Sequence, residues 1–168
     1  FFIGNLRKKR ILVTGAAGFI GSKICAELIK RKYSVIGCDD FYSGSKKNII
    51  KGIKFIKIDL SKKKTIFRLP RKIDYIFHLA GQSSGEKSFD DPINDLRRNF
   101  ITTYNLINYA KKNSIKNFFY ASSMSVYGDG SIKANIQDNC NPLSYYGLHK
   151  KLSEDYIFKN SKNFNYIL

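Results

Sequence analysis

The stretch Thr14-Gly-Ala-Ala-Gly-Phe-Ile-Gly21 constrains this chain more than any other. It follows a short apolar run, Ile11 to Val13. It also opens a segment, Phe19 to Arg31, in which Ile20, Ile24 and Leu28 recur at helical spacing. Glycines between a strand and a helix serve three ends: Gly15 permits the tight turn, Gly18 lets the backbone approach a ligand, and Gly21 lets the helix pack close to the sheet. The amides that begin such a helix, those of Phe19, Ile20 and Gly21, have no intrahelical acceptor and face an anion. A dinucleotide pyrophosphate is the expected ligand.

Further strands are predicted at Tyr33 to Cys38, Ile53 to Ile58, Asp74 to Leu79 and Asn117 to Ala121, each bounded by turn or charged residues. A long helical pattern runs from about Asp95 to Lys112, another from about Tyr145 to Asn160, and a last strand begins at Phe164. Strands alternating with helices predict an α/β chain, a Rossmann-type doubly wound parallel sheet with helices on both faces. Residues 1–9 read as a lead-in and residues 10–168 as one cofactor-binding domain carrying the catalytic residues. Gly128 to Pro142, poor in apolar residues, reads as a long loop over the carboxyl edge of the sheet.

The glycine spacing is G-x-x-G-x-x-G, and Asp39 ends the second strand eighteen positions after Gly21. A carboxylate there accepts hydrogen bonds from the adenosine ribose and repels a 2′-phosphate, so NAD is favoured over NADP. Asp40 beside it could share that task. Asp59-Leu60, after the third strand, places a carboxylate near the adenine or, equally, caps the turn before Ser61.

The formal charge of +17 raises polyanions as partners. The basic groups are scattered, however: Arg7 to Arg10, Lys30 to Lys32, Lys46-Lys47, Lys62 to Lys64, Arg97-Arg98, Lys111-Lys112 and Lys150-Lys151. Nucleic-acid recognition needs one basic face, so these residues are read as solvated surface and no nucleic-acid partner is expected. Cys25, Cys38 and Cys140 have neither metal-site nor disulfide spacing, and no apolar run reaches membrane-spanning length. A soluble cytoplasmic protein with no metal and no membrane partner is expected. Phe1 at one end and an incipient strand at the other give the chain the look of a fragment.

Tyr146 and Lys150 stand four apart in a predicted helix and share one face. A tyrosine is a poor base near neutral pH unless positive charge favours its phenolate, which an adjacent ammonium supplies. Tyr146 would then exchange a proton with a substrate hydroxyl while hydride moves to or from the cofactor. Tyr145 has no lysine at i+4. Ser122, Ser123 and Ser125 follow the fifth strand at the carboxyl edge, where a hydroxyl can hold the same substrate oxygen. His149 is read as a surface or packing residue, and His78 and Cys38 as packed structural residues.

Together, the glycine loop, Asp59-Leu60, His78-Leu-Ala-Gly81, Asn99, Ser122-Ser-Met-Ser-Val-Tyr-Gly128 and Tyr146-Gly-Leu-His-Lys150 resemble the extended short-chain dehydrogenase/reductases, specifically the NAD-dependent sugar-nucleotide epimerase/dehydratase family. The resemblance implies that Ser123, Tyr146 and Lys150 are catalytic. It also implies that Leu79, Ala80, Gly81 and Asn99, together with Tyr146 and Lys150, line or support the cofactor site. It further implies oxidation of a sugar carbon, usually C4, with NAD holding the hydride, and a nucleotide-sugar substrate, a UDP-sugar first. Dehydratases and decarboxylating members carry an acidic residue two positions after the catalytic hydroxyl; Ser125 stands there, which favours 4-epimerisation. Family members continue into a substrate-binding carboxyl-terminal domain, and their counterparts of the two long helices form a homodimer interface.

Overall fold

The computed structural model describes residues 8–129 and 134–168. Six parallel strands form one sheet: β1 (Arg10–Thr14), β2 (Ser34–Asp39), β3 (Lys54–Lys57), β4 (Tyr75–His78), β5 (Asn117–Tyr120) and β6 (Asn165–Ile167), in the order β3-β2-β1-β4-β5-β6. The helices are α1 (Phe19–Lys30), α2 (Lys87–Asp90), α3 (Pro92–Leu96), α4 (Thr102–Lys112) and α5 (Tyr145–Lys159). The expected strands and long helices are therefore present, and the sheet is the doubly wound Rossmann-type arrangement. No long helix links β2 to β3 or β3 to β4; short 3₁₀ turns, Lys46–Asn48 and Lys63–Arg68, stand there instead.

Strand alternation explains the two cores. Ile11 and Val13 of β1 point to one face, where they pack with Cys25, Leu28 and Val35 beneath α1. Leu12 points to the other, joining Ile36, Ile76, Leu106, Ile107, Phe118 and Ile157 beneath α4 and α5. Cys25 and Cys38 are buried free thiols, and no helix is long and apolar enough to cross a membrane among the described residues. Of the loop expected over Gly128 to Pro142, residues 130–133 lie outside the described residues, as do residues 1–7 of the lead-in.

The predicted Asp95 to Lys112 helix begins earlier and changes pitch. Asp91 caps α3 by accepting from the Asn94 amide, and Pro92 occupies its first turn. A π-helical turn, Arg97–Ile101, then joins α3 to α4. Such turns rotate the residues they carry relative to a regular helix and recur at functional sites. Here the turn carries Arg98 and Asn99.

Candidate active site

The strand order reverses between β1 and β4, which opens a crevice at their carboxyl ends. One hydroxyl ties its two walls together. Thr14 Oγ1 accepts from the amides of Leu79 and Ala80 and donates to His78 Nδ1 at 2.8 Å. His78 Nε2 then donates to Thr103 Oγ1, which donates to the Asn99 carbonyl. Burial pushes His78 down to about 3, with the Lys150 charge acting the same way, so the ring is neutral. The expected structural role of His78 is what the geometry shows, and Thr14 is a hub that the sequence did not reveal.

The glycines differ in what holds them. Gly15 has φ +70°, and a β-carbon on it would stand 2.9 Å from the Leu79 backbone. On Gly21 a β-carbon would collide with the Gly15 carbonyl oxygen. Gly18 has ordinary extended backbone, and its β-carbon would meet only one atom, at 3.2 Å. Beside Gly18 the chain thus leaves space that no side chain fills. Helix α1 has no capping side chain and no acidic residue in its first turn, leaving its N-terminus open to an anion. Phe19 and Ile20 are exposed there.

Asp39, Asp59, Leu60, Ala80 and Gly81 line a small cavity at the other end of the crevice, with Asp40, Tyr42, Ser43, Ile58, Arg98 and Thr102. Asp39 accepts from the amides of Ala17 and Phe41, so it braces the glycine loop as well as facing the cavity. Asp59 Oδ1 accepts from the backbone and hydroxyl of Ser61, the turn-capping alternative, while the residue also borders the cavity. Leu79, expected in the cofactor site, is not among the residues lining this cavity; its side chain packs against the apolar cluster beneath α1. Arg98 corrects the reading of Arg97-Arg98 as solvated surface: it pairs with Asp40 at 2.8 Å and lies 3.3 Å from the centre of the Tyr42 ring. No local pattern foretold it, because its partner is 58 positions away.

Toward β5, Ser144 caps α5 by accepting from the Gly147 amide, and Tyr146 and Lys150 face inward. Tyr145 points outward against Phe89. Lys150 Nζ donates to the Ala121 carbonyl at 2.8 Å and lies 4.8 Å and 5.8 Å from the centres of the Tyr120 and Tyr146 rings. Burial lowers Lys150 to about 8, against the pull of the Asp95 and Glu154 carboxylates. Ser123 caps the turn Met124–Val126, and its hydroxyl lies 3.2 Å from that of Ser125. Ser122 donates to Glu154. His149 is buried and donates through Nδ1 to Asp95 Oδ2 at 2.7 Å, so of its two expected places packing holds and surface does not.

A parallel sheet with a glycine turn at its reversal point defines a dinucleotide-binding α/β domain of the Rossmann type, and here an inward-facing Tyr/Lys pair stands beside that turn. The profile of the NAD dependent epimerase/dehydratase family matches residues 11–168, and the chain belongs to that family. It is 36% identical over 166 residues to the uncharacterized UDP-glucose epimerase YtcB of Bacillus subtilis, covering 90% of this chain and 52% of that protein. It is 30% identical to UDP-glucuronic acid decarboxylase 1 of Danio rerio, covering 96% of this chain and 40% of that one. Among solved structures it resembles the UDP-glucose 4-epimerase of Thermus thermophilus in complex with NAD, at 30% identity and a TM-score of 0.86 over 94% of this chain and 53% of that one. The chain spans about half the length of the relatives it matches first.

Proposed function

We propose that the chain carries the NAD-binding and catalytic residues of a sugar-nucleotide 4-epimerase acting on UDP-sugars. The observation that carries this reading is the inward-facing Tyr146/Lys150 pair on α5, tied through Ala121 to the carboxyl end of β5. NAD fits the residues present: the uncapped start of α1, the ligand-facing Gly18 and the unpartnered buried Asn99 Oδ1 would meet a pyrophosphate, a backbone contact and a hydroxyl donor. Phe19, Ile20 and Gly21 would hold the pyrophosphate. Asp39, Asp59 and Leu60 would flank the adenosine, and Ala80, Gly81 and Asn99 the opposite side.

When bound, NAD supplies a reversible hydride acceptor. Tyr146, held as the phenolate by the Lys150 ammonium, removes the proton from the sugar hydroxyl, keeps it as the neutral phenol while the keto-sugar exists, and returns it as the hydride goes back. Ser123 donates a hydrogen bond to the same sugar oxygen. Ser125, where decarboxylating and dehydrating relatives carry an acid, contributes a hydroxyl only, so no carboxylate stands there for elimination. The UDP assignment follows the names of the relatives.

Incubating the protein with UDP-galactose and reading UDP-glucose formation tests the reading. Tyr146→Phe is expected to slow turnover about 10²-fold to 10⁴-fold. Unchanged turnover in that variant would sink the mechanism, and carbon dioxide release from UDP-glucuronic acid would favour a decarboxylase instead.

A further inference from the structure

Asp95 is a fully buried carboxylate that the proposed reaction does not use. A buried charge is retained only where donors and opposite charge surround it. Asp95 has donors from three separate segments: Gln82 Nε2 at 2.9 Å and Asn99 Nδ2 at 3.0 Å reach Oδ1, and His149 Nδ1 reaches Oδ2. The Asn99 amide is thereby fixed, with its nitrogen committed to Asp95 and its oxygen turned away.

That oxygen, Asn99 Oδ1, is buried and has no hydrogen-bond partner among the described residues. It lies 2.5 Å from the position a β-carbon on Gly81 would occupy, and Lys150 Nζ lies 3.8 Å from the same point. An orphaned acceptor and an ammonium therefore converge on the space that the absent Gly81 side chain leaves open. A buried acceptor with no partner costs about 1 to 3 kcal/mol, which a ligand donor would relieve.

We propose that Asp95, locked by His149, is a positioning residue that aims the Asn99 oxygen into this space and supplies a buried negative charge that favours the ammonium form of Lys150. The inference rests on the reading that NAD occupies the crevice. The groups around Lys150 support it. From α5 come Tyr146, His149 and Glu154, from β5 Tyr120, from β4 the neutral His78, and from α3 Asp95. Among the charged groups Asp95 and Glu154 favour the charged lysine, Asp95 the more strongly, and the Ala121 carbonyl that accepts from it acts the same way.

Asp95→Asn removes the charge and can keep the geometry. The new amide oxygen still accepts from Gln82 and Asn99, while His149 changes tautomer and accepts at Nδ1. The titration of Lys150 is read by ¹³Cε NMR of lysine-labelled protein, assigned with Lys150→Arg, and NAD affinity by calorimetry. In Asp95→Asn the Lys150 midpoint is expected to fall by about one pH unit. His149→Ala, which leaves the charge but frees the carboxylate, is expected to weaken NAD about tenfold without lowering that midpoint, and His149→Asn to restore affinity by replacing the donor.

An unchanged midpoint in folded Asp95→Asn, or undiminished NAD affinity in His149→Ala, would overturn the proposal. Should Asp95→Asn fail to fold, Asp95→Glu carries the test: its retained charge must hold the midpoint while the displaced carboxylate weakens NAD, and a fall in the midpoint refutes the idea. Absence of NAD binding by the unaltered protein would refute the family reading of the crevice separately, since the Lys150 titration needs no cofactor.

Discussion

Gly147 brings α5 hard against the turn after β5: a β-carbon on Gly147 would collide with the Ser125 carbonyl oxygen and stand 3.0 Å from the Pro142 side chain. This contact sets how Tyr146 and Lys150 on the helix meet Ser123 on the turn. Gly147→Ala is expected to push helix and turn apart. Overpacking of this kind costs about 1 to 3 kcal/mol, and a displacement near 1 Å in a reacting constellation costs about 10²-fold in rate. Urea denaturation and turnover check both; a variant with unchanged turnover would show that the contact does not set the catalytic geometry.

Thr14 gives a prediction about stability. Thr14→Val keeps the shape but removes the acceptor for the Leu79 and Ala80 amides and the donor to His78. Leaving those groups unsatisfied is expected to cost about 3 kcal/mol. Thr14→Ser, which keeps the hydroxyl, should recover most of the loss in the same denaturation experiment.

The contrast between Gly147 and Thr14 shows what a sequence makes legible. The sheet, the α5 face and the glycine turn follow from local periodicity and spacing. Asp39 is legible because it sits at a strand end a fixed distance from the turn. Thr14, Arg98 and Asp95 are not, because their partners His78, Asp40 and His149 lie 64, 58 and 54 positions away. The adjacency of β1 and β4 brings Thr14 to His78, the π-helical turn carries Arg98 to Asp40, and the packing of α3 against α5 brings Asp95 to His149. His149 departs in part from expectation for the same reason: its i+3 relation to Tyr146 is visible in the sequence, but the carboxylate that draws it inward is not.

His78 fixes a pH dependence. Its folded-state pKa of about 3 lies below the ordinary 6.5, so below pH 6.5 the unfolded chain binds a proton that the folded chain refuses. The stability contributed by the neutral ring is complete above pH 6.5 and is lost as pH falls toward 3, by about 5 kcal/mol at the limit. His78→Gln is expected to be less stable at pH 7 but to lose less on acidification. Equal slopes of unfolding free energy against pH between 6.5 and 4 in both proteins would contradict this.

The last prediction concerns assembly. Along α5, Tyr145, Leu148, Leu152 and Tyr156 recur at spacings of three and four, and the first three are substantially exposed. Tyr156 continues the stripe into Phe100 and the exposed Tyr104, with ring centres 5.9 Å and 5.3 Å away. A contiguous apolar and aromatic strip across two neighbouring helices is what an isologous helix-on-helix interface buries. A homodimer through α4 and α5 is therefore expected, with Leu148→Asp combined with Leu152→Asp shifting it to monomer in sedimentation equilibrium. Because these side chains point away from Lys150, the monomeric variant should retain NAD affinity within about threefold, well under the tenfold that 1.4 kcal/mol represents. A monomer in the unaltered protein would refute the interface, and a dimer that survives both charges would move it to another face.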